Sequence, residues 1–316
     1  MSALDFTVLI ALYNKRPFIR RTLGTALAQH HPATEILIVD DGSTDGSVAE
    51  IEDLIGGSVR LIRQANAGPG PARNRGFAEA RCDWVALLDA DDLWLPDHLA
   101  ALAELIGEFP EARVAHTAFA RIPAGSEPRV PPADPALTRG YLADYFATAG
   151  TEQAMWSSCV AIRRDAFAAS GGYGAYWPGE DVELWARLAL AHPIAATRKV
   201  TALYTVETGG LMDQGSGTRF GVGDEPEMKV LQDALTEPSH AARHPDIRSY
   251  LNRLLAQRVH QALYAGDTRR ARGFLRLLKQ GGGARPVPYR VMSRLPAWIV
   301  RAGVGAYRKA KAHRRG

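Results

Sequence analysis

Apolar and polar residues along the first 120 positions alternate in blocks of two kinds. Short, near-continuous apolar runs occupy Phe6–Leu12, Glu35–Val39, Val59–Arg63, Trp84–Leu88 and Val114–Ala120. Between them, apolar residues recur at helical spacing over Phe18–Gln29 (Phe18, Ile19, Thr22, Leu23, Ala26, Leu27), Val48–Ile55, Ala72–Ala80 and His98–Phe109. Unbroken apolar strands alternating with amphipathic helices predict an α/β fold whose sheet is mostly parallel and covered on both faces. Ligands of such sheets sit outside the carboxyl ends of the strands. Tyr13-Asn14, Asp40-Asp41-Gly42-Ser43-Thr44-Asp45 and Asp89-Ala90-Asp91-Asp92 all fall at such ends.

Beyond residue 120 the pattern loosens. Ile122–Pro135 is Pro-rich and aperiodic and reads as a surface loop. Ser157–Ile162 is strand-like, Asp165–Ala169 a helical turn, and Gly171-Gly172-Tyr173 a break. Asp181–Ala191 has helical spacing, Ile194–Val206 returns as a strand, and Glu207–Asp224 is a Gly-rich loop. From Glu225 onward the spacing is helical. The expected organisation is a domain over 1–224, with halves 1–120 and 121–224, followed by a helical, basic extension over 225–316.

Composition changes this picture in two places. Cys82 and Cys159 are the only cysteines, which excludes a disulfide framework and a four-cysteine zinc site and fits a reducing, cytoplasmic setting. No stretch approaches the roughly 20 apolar residues of a membrane span, and Phe6–Tyr13, preceded by Asp5, is wrongly flanked for a signal peptide. The net charge of +4 hides an asymmetry: 14 Lys or Arg and no acidic residue lie between Thr268 and Gly316, leaving 24 basic against 34 acidic residues elsewhere. Arg294, Arg301, Arg308 and Arg315 recur every seven residues. On a helix begun near Ser293 and Pro296 they would form one stripe, able to lie peripherally on an anionic membrane. A solvated basic face is the plainer alternative. No recognisable nucleic-acid-binding module accompanies the charge, and His30-His31, His192 and His260 lack metal-ligand spacing.

The acidic strand ends carry the candidate chemistry. Hard divalent cations such as Mg²⁺ or Mn²⁺ favour carboxylate oxygens and leave room for substrate phosphates. Asp89 and Asp91 supply two carboxylates on one turn, with Asp92 a third within reach. Taken singly, each cluster is explained as well by caps and Asx turns. The loop from Asn66 to Gly76, with Gly68, Gly70, Arg73, Asn74 and Arg75, opens a helix, a setting that favours phosphate. Glu180-Asp181 opens the helix bearing Trp185, where a carboxylate is ordinarily stabilised by the helix dipole. The same placement suits a general base.

Tyr13-Asn14, Val39-Asp40-Asp41-Gly42-Ser43-Thr44-Asp45, Asn66…Gly68…Ala72-Arg73-Asn74…Gly76 and Leu88-Asp89-Ala90-Asp91-Asp92 occur in order and at suitable spacings. Together they resemble the family 2 glycosyltransferases of the GT-A fold, over about the first 210 residues. The resemblance implies an inverting, metal-dependent transfer of a sugar from a nucleoside diphosphate donor, often a UDP-sugar, to a glycan or lipid-linked acceptor. It implies a donor site of Ala11, Tyr13 (against the nucleobase), Asp41 (on its edge), Arg73, Asn74, Asp89 and Ala90. It further implies a divalent metal, Mn²⁺ or Mg²⁺, on Asp91 and Asp89, and Asp181 as base with Glu180 an acceptor contact or second candidate.

One departure stands out. Many relatives carry a histidine after the last strand, where Glu207 stands here, which leaves the final metal ligand open. No Gln-x-x-Arg-Trp motif of processive synthases is present, which favours a single-addition enzyme. Nucleotidyl transfer to a sugar phosphate is a rival, disfavoured because Tyr13-Asn14-Lys15-Arg16 has no glycine. A non-catalytic nucleotide-sugar-binding module is another.

Overall fold

The computed structural model describes residues 4–127, 139–142, 145–148, 155–176, 179–206, 208, 220–280, 291 and 293–296. The chain divides into two compact units, one formed by residues 1–145 with 152–217, the other by 146–151 with 218–316.

The first unit is built on β1 (Phe6–Leu12), β2 (Glu35–Asp40), β3 (Val59–Arg63), β4 (Trp84–Leu87), β5 (Leu93–Trp94), β6 (Val114–Pro123), β7 (Arg139–Tyr141), β8 (Val160–Arg163) and β9 (Ile194–Val206). Among the described residues these make one sheet in the order β3-β2-β1-β4-β8-β6-β9-β5, with β7 also on β9. The β3-β2-β1-β4 half is parallel, in register from Leu12 opposite Asp40 to Leu9 opposite Leu87. β8 runs antiparallel to both β4 and β6, so the sheet is mixed rather than wholly parallel. Every residue of β2 is buried, as expected of a strand covered on both faces.

Helices α1 (Arg16–Leu27), α2 (Pro69–Glu79), α3 (His98–Glu108), α4 (Tyr145–Thr148), α5 (Arg164–Ala169) and α6 (Glu180–Ala191) follow in chain order. α2 lies so close to β1 that a Cβ on Gly76 would fall 2.1 Å from Leu9 Cδ1. That proximity sets the first helical turn of α2 beside the strand ends. The helix expected over Val48–Ile55 is instead a 3₁₀ segment, Ala49–Leu54. Only Ile51 is buried there, so no apolar stripe holds a longer helix. Glu50 and Asp53 pair with Arg16 and Arg20 of α1.

The second unit holds α7 (Pro226–Ala234), α8 (His244–Tyr264) and α9 (Thr268–Gln280), with a 3₁₀ segment at Pro238–Arg243. Met228, Leu231, Ile247, Leu255, Val259, Phe274 and Leu278 form its core. Two buried carboxylates, Glu225 and Glu227, are held by Arg270 (3.0 Å) and Arg258 (2.6 Å). Burial, with the nearby Glu225 charge adding, raises the Glu227 pKa against the pull of Arg258. Of the heptad arginines in the tail, Arg301, Arg308 and Arg315 lie outside the described residues, as does the helix expected to carry them. No described helix is long and apolar enough to cross a membrane.

Candidate functional site

The parallel half of the sheet delivers three chain segments to one edge, and side chains tie them together. At the end of β1, Asn14 adopts a left-handed backbone (φ 50°), a conformation asparagine tolerates better than most residues. Its backbone N–H donates to Ser43 Oγ (3.1 Å) and its Oδ1 accepts from the Thr44 N–H (2.8 Å). The Asp41 N–H donates to the Leu12 carbonyl (2.8 Å). The β1 and β2 ends therefore form one unit. Tyr13 projects from it with 42% of its surface exposed, whereas Ala11 is half-buried in the strand below.

Asp41 is buried and organises the loop before α2. Its Oδ1 accepts from Gln64 Nε2 (2.8 Å) and the Ala67 N–H (2.9 Å), and its Oδ2 from the Gly68 N–H (2.8 Å). A carboxylate offers about four acceptor positions, and three of those of Asp41 are taken by the loop it organises. Gly68, at φ 96°, turns the chain into α2, a backbone that side-chain-bearing residues rarely adopt.

At the β4 end, Asp89 and Asp91 are partly exposed while Asp92 is turned inward. Asp92 is 1% exposed and accepts from Ser158 Oγ (2.6 Å), Trp156 Nε1 (2.9 Å) and the Thr205 N–H (2.9 Å). Burial, with Asp89 and Asp91 adding, pushes its pKa up to about 8. The expectation of Asp92 as a third ligand within reach is therefore corrected. It knits β9 and the Trp156–Ser158 turn to the strand end, and all its donors are internal. Ser158 Oγ also accepts from the Asp89 N–H (3.0 Å).

Arg73 is the hinge between the two acidic groups. Its guanidinium donates to Asp89 Oδ1 (2.8 Å) and to Glu180 Oε1 (3.2 Å) and lies 5.3 Å from the Tyr173 ring centroid. Burial opposes its charge, but Asp89, Tyr173 and Glu180 more than offset this, and its pKa rises. Glu180 is 4% exposed. Burial and the neighbouring Asp181 carboxylate push it up to about 7 against the attraction of Arg73. Through Arg73 such a residue ties the start of α6 to α2. Asn74 is likewise committed. Its Oδ1 accepts from the Tyr173 N–H (2.8 Å) and its Nδ2 donates to the Tyr173 carbonyl (2.9 Å). It clamps the Gly171–Tyr173 turn. Arg187 holds the same turn through the Gly172 carbonyl (2.6 Å). Arg75, half-buried, donates to the Arg63 carbonyl (2.9 Å).

Asp181, next along α6, is only partly buried. It accepts at Oδ1 from the Val182 N–H (2.8 Å), and among the described residues no side chain bonds it. Burial raises its pKa, with Arg73 pulling the other way.

Two residues that sequence reasoning passed over sit on Asp91. Lys15 Nζ forms an ion pair with Asp91 Oδ2, and Thr208 Oγ1 donates to the same oxygen (2.7 Å). Lys15 directly follows Tyr13-Asn14, so its position beside the strand end was readable, although its partner was not. Thr208 adjoins Glu207, which lies outside the described residues. Asp89 and Asp91 are hard oxygen donors, and Asp91 already carries one cationic group, the Lys15 ammonium. The donor chemistry thus fits a Mg²⁺ or Mn²⁺ ion shared with phosphate oxygens. Among the described residues no cluster of three or more His, Cys, Asp or Glu could hold a metal alone.

Comparison with known proteins agrees with this geometry. The family model described as Glycosyl transferase family 2 matches residues 7–171. An uncharacterized glycosyltransferase of Nostoc sp. is 41% identical over 105 residues, 32% of this chain and 33% of the relative. The succinoglycan biosynthesis protein ExoO of Rhizobium meliloti is 42% identical over 101 residues, 32% of this chain and 29% of that one. The match thus spans about a third of these relatives' length. Among solved structures, S. aureus TarS 1–349 in complex with UDP-GlcNAc aligns with a TM-score of 0.69 at 17% identity, covering 97% of this chain and 92% of that one. Mannosyltransferase PcManGT from Pyrobaculum calidifontis, in complex with GDP-Man and Mn²⁺, aligns with a TM-score of 0.54 at 17% identity, over 91% and 78% of the two chains. The fold is that of the GT-A glycosyltransferases, and the chain belongs to glycosyltransferase family 2.

Proposed function

We propose that this chain transfers a single sugar from a nucleoside diphosphate donor, a UDP-sugar in the first instance, to a hydroxyl of a cell-envelope glycan or lipid-linked acceptor, with inversion at the anomeric carbon. The observation that carries this reading is the joining of three strand ends. The exposed ring of Tyr13, the Asp41 carboxylate and the Asp89–Asp91 pair lie on adjacent segments tied by Asn14 and by the Lys15–Asp91 ion pair. The exposed ring of Tyr13 offers a face for a nucleobase, and Asp41 shapes the loop beside it, where the family resemblance places the base edge. Asp91 and Asp89 would hold a divalent ion, which would supply Lewis-acid assistance to departure of the nucleoside diphosphate.

Asp181 takes the acceptor proton. One carboxylate suffices, because inversion needs a single attack from the face opposite the diphosphate, and no enzyme-linked sugar forms. Burial raises the Asp181 pKa, which makes its carboxylate a stronger base than an exposed one. Arg73, by holding Asp89 and Glu180 together, sets Asp181 at a constant position relative to the acidic turn. Relatives and neighbours support the reading by analogy: ExoO is named for succinoglycan biosynthesis, and the TarS and PcManGT structures hold UDP-GlcNAc and GDP-Man. The setting proposed is cytoplasmic and peripheral to the membrane.

The test is a panel of nucleotide sugars scored for metal-dependent release of nucleoside diphosphate, with the product read by NMR. An α-linked donor should yield a β-linked product. Pyrophosphate release would instead indicate nucleotidyl transfer, and retained configuration would rule out Asp181 as the sole base of an inverting step. Asp181→Asn should abolish transfer while leaving donor binding intact.

A further inference from the structure

In the second unit, α9 separates its side chains sharply. Ala271, Phe274, Leu275 and Leu278 are buried. Arg269, Arg272, Arg276 and Lys279 are exposed. At about 100° per residue these four basic positions fall within roughly 80° of arc and extend along about 15 Å of helix. Arg270, one step off this stripe, is withdrawn from it by its pair with buried Glu225 (3.0 Å). Arg269, Arg276 and Lys279 have no hydrogen bond or ion pair among the described residues, and no acidic residue occurs from Thr268 to the chain end. Among the described residues the stripe is therefore an uncompensated positive surface. A second observation lies beside it. Arg272 Nη1 donates to the Ser293 carbonyl (2.6 Å), which brings a short segment against the stripe. That segment exposes Val291 (54%) and Leu295 (36%), with Arg294 exposed between them.

We propose that this face of α9, with Val291 and Leu295 as apolar contacts, docks on an anionic lipid bilayer. Basic side chains near an anionic surface gain from its potential, and apolar side chains beside them gain by entering the headgroup region. A nucleic-acid partner would use the charge but leave Val291 and Leu295 without a favourable environment. The inference deepens the membrane-peripheral setting proposed above and rests on it only for its purpose. It assigns the contact to α9 instead of to the terminal heptad arginines alone.

The experiment is co-sedimentation of the full chain, without donor or acceptor, with vesicles of neutral phosphatidylcholine or of phosphatidylcholine with phosphatidylglycerol. The chain should bind the anionic vesicles, release with rising salt, and ignore neutral ones. Arg269→Gln/Arg276→Gln/Lys279→Gln should lower partitioning on the order of 100-fold. These residues are exposed and unpaired, so the thermal unfolding midpoint should stay the same, and Arg272 is kept because it holds Ser293. Val291→Ser/Leu295→Ser should lower binding by a factor that salt does not change. Unaltered partitioning of the triple variant, whose tail is intact, would overturn the assignment, as would equal binding to neutral vesicles or preferential capture by DNA or RNA. Donor binding by the triple variant separates this outcome from the proposed function, since nucleotide affinity should be unchanged whichever way the vesicle result falls.

Discussion

Replacing Arg73 by methionine removes the one cation placed between Asp89 and Glu180, and its cost can be reasoned from their surroundings. Taking one partner out of a buried ion pair costs about 3–5 kcal/mol, because the remaining charge is left without compensation. Asp89 is partly exposed, so the lower end of that range applies. In a unit the size of the first one, residues 1–145 with 152–217, ~3 kcal/mol lowers the thermal midpoint by about 6–12 °C. The loss should also depend on pH. Glu180 titrates in the fold near 7 against an ordinary value of 4.5. The folded state thus holds its proton longer than the unfolded chain does. Stability tied to this group is fully present below about 4.5 and is lost as pH rises through about 7. Without Arg73 the Glu180 pKa climbs further, so the penalty at pH 8 should exceed that at pH 5.5 by roughly 1–2 kcal/mol. Calorimetry or circular dichroism melts of wild type, Arg73→Met and Arg73→Met/Glu180→Gln at both pH values read this directly. The double variant should recover most of the pH-dependent part. An equal penalty at both pH values, or no recovery on neutralising Glu180, would refute the reasoning.

Other consequences follow from the same geometry. Lys15→Met frees Asp91 of its ammonium partner, so Mn²⁺ measured by electron paramagnetic resonance without nucleotide should bind several-fold tighter; unchanged or weaker binding would mean that Lys15 does not compete for this carboxylate. Gly76→Ala drives a methyl group into Leu9 and should cost about 1–3 kcal/mol in thermal stability, part of which Leu9→Ala should restore in the double variant. Glu180→Gln alone should lessen the fall in stability between pH 5 and 8 without abolishing it, because Asp92, whose pKa is raised to about 8, still contributes over that window; an unchanged slope in melts across that range would contradict this.

Much of this site was written in residue pattern, because parallel strands announce themselves locally. An apolar run ending in Asp40-Asp41 or in Asp89-Ala90-Asp91 marks a carboxyl end whatever lies elsewhere, and β1, β2 and β4 are where those runs occur. What was hidden depends on distant partners. The inward turn of Asp92 is set by Trp156, Ser158 and Thr205, which lie 64 or more residues away. β5 and β7 are two and three residues long and exist only because β9 offers an edge. Asn74 gives no sign in sequence of which backbone it meets, and here the Tyr173 N–H and carbonyl take the two ends of its side chain. Burial, too, separates Glu180 from Asp181 in a way that two adjacent acids at a helix start do not reveal.

The central claim is that Tyr13, Asp41, Asp89 and Asp91 serve one nucleoside diphosphate pocket through a divalent ion, and titration calorimetry of UDP tests it most directly. UDP should bind with Mn²⁺ present, lose most of its affinity in EDTA, and lose it again in Asp91→Asn with Mn²⁺ restored. Equal affinity under all three conditions would contradict the account.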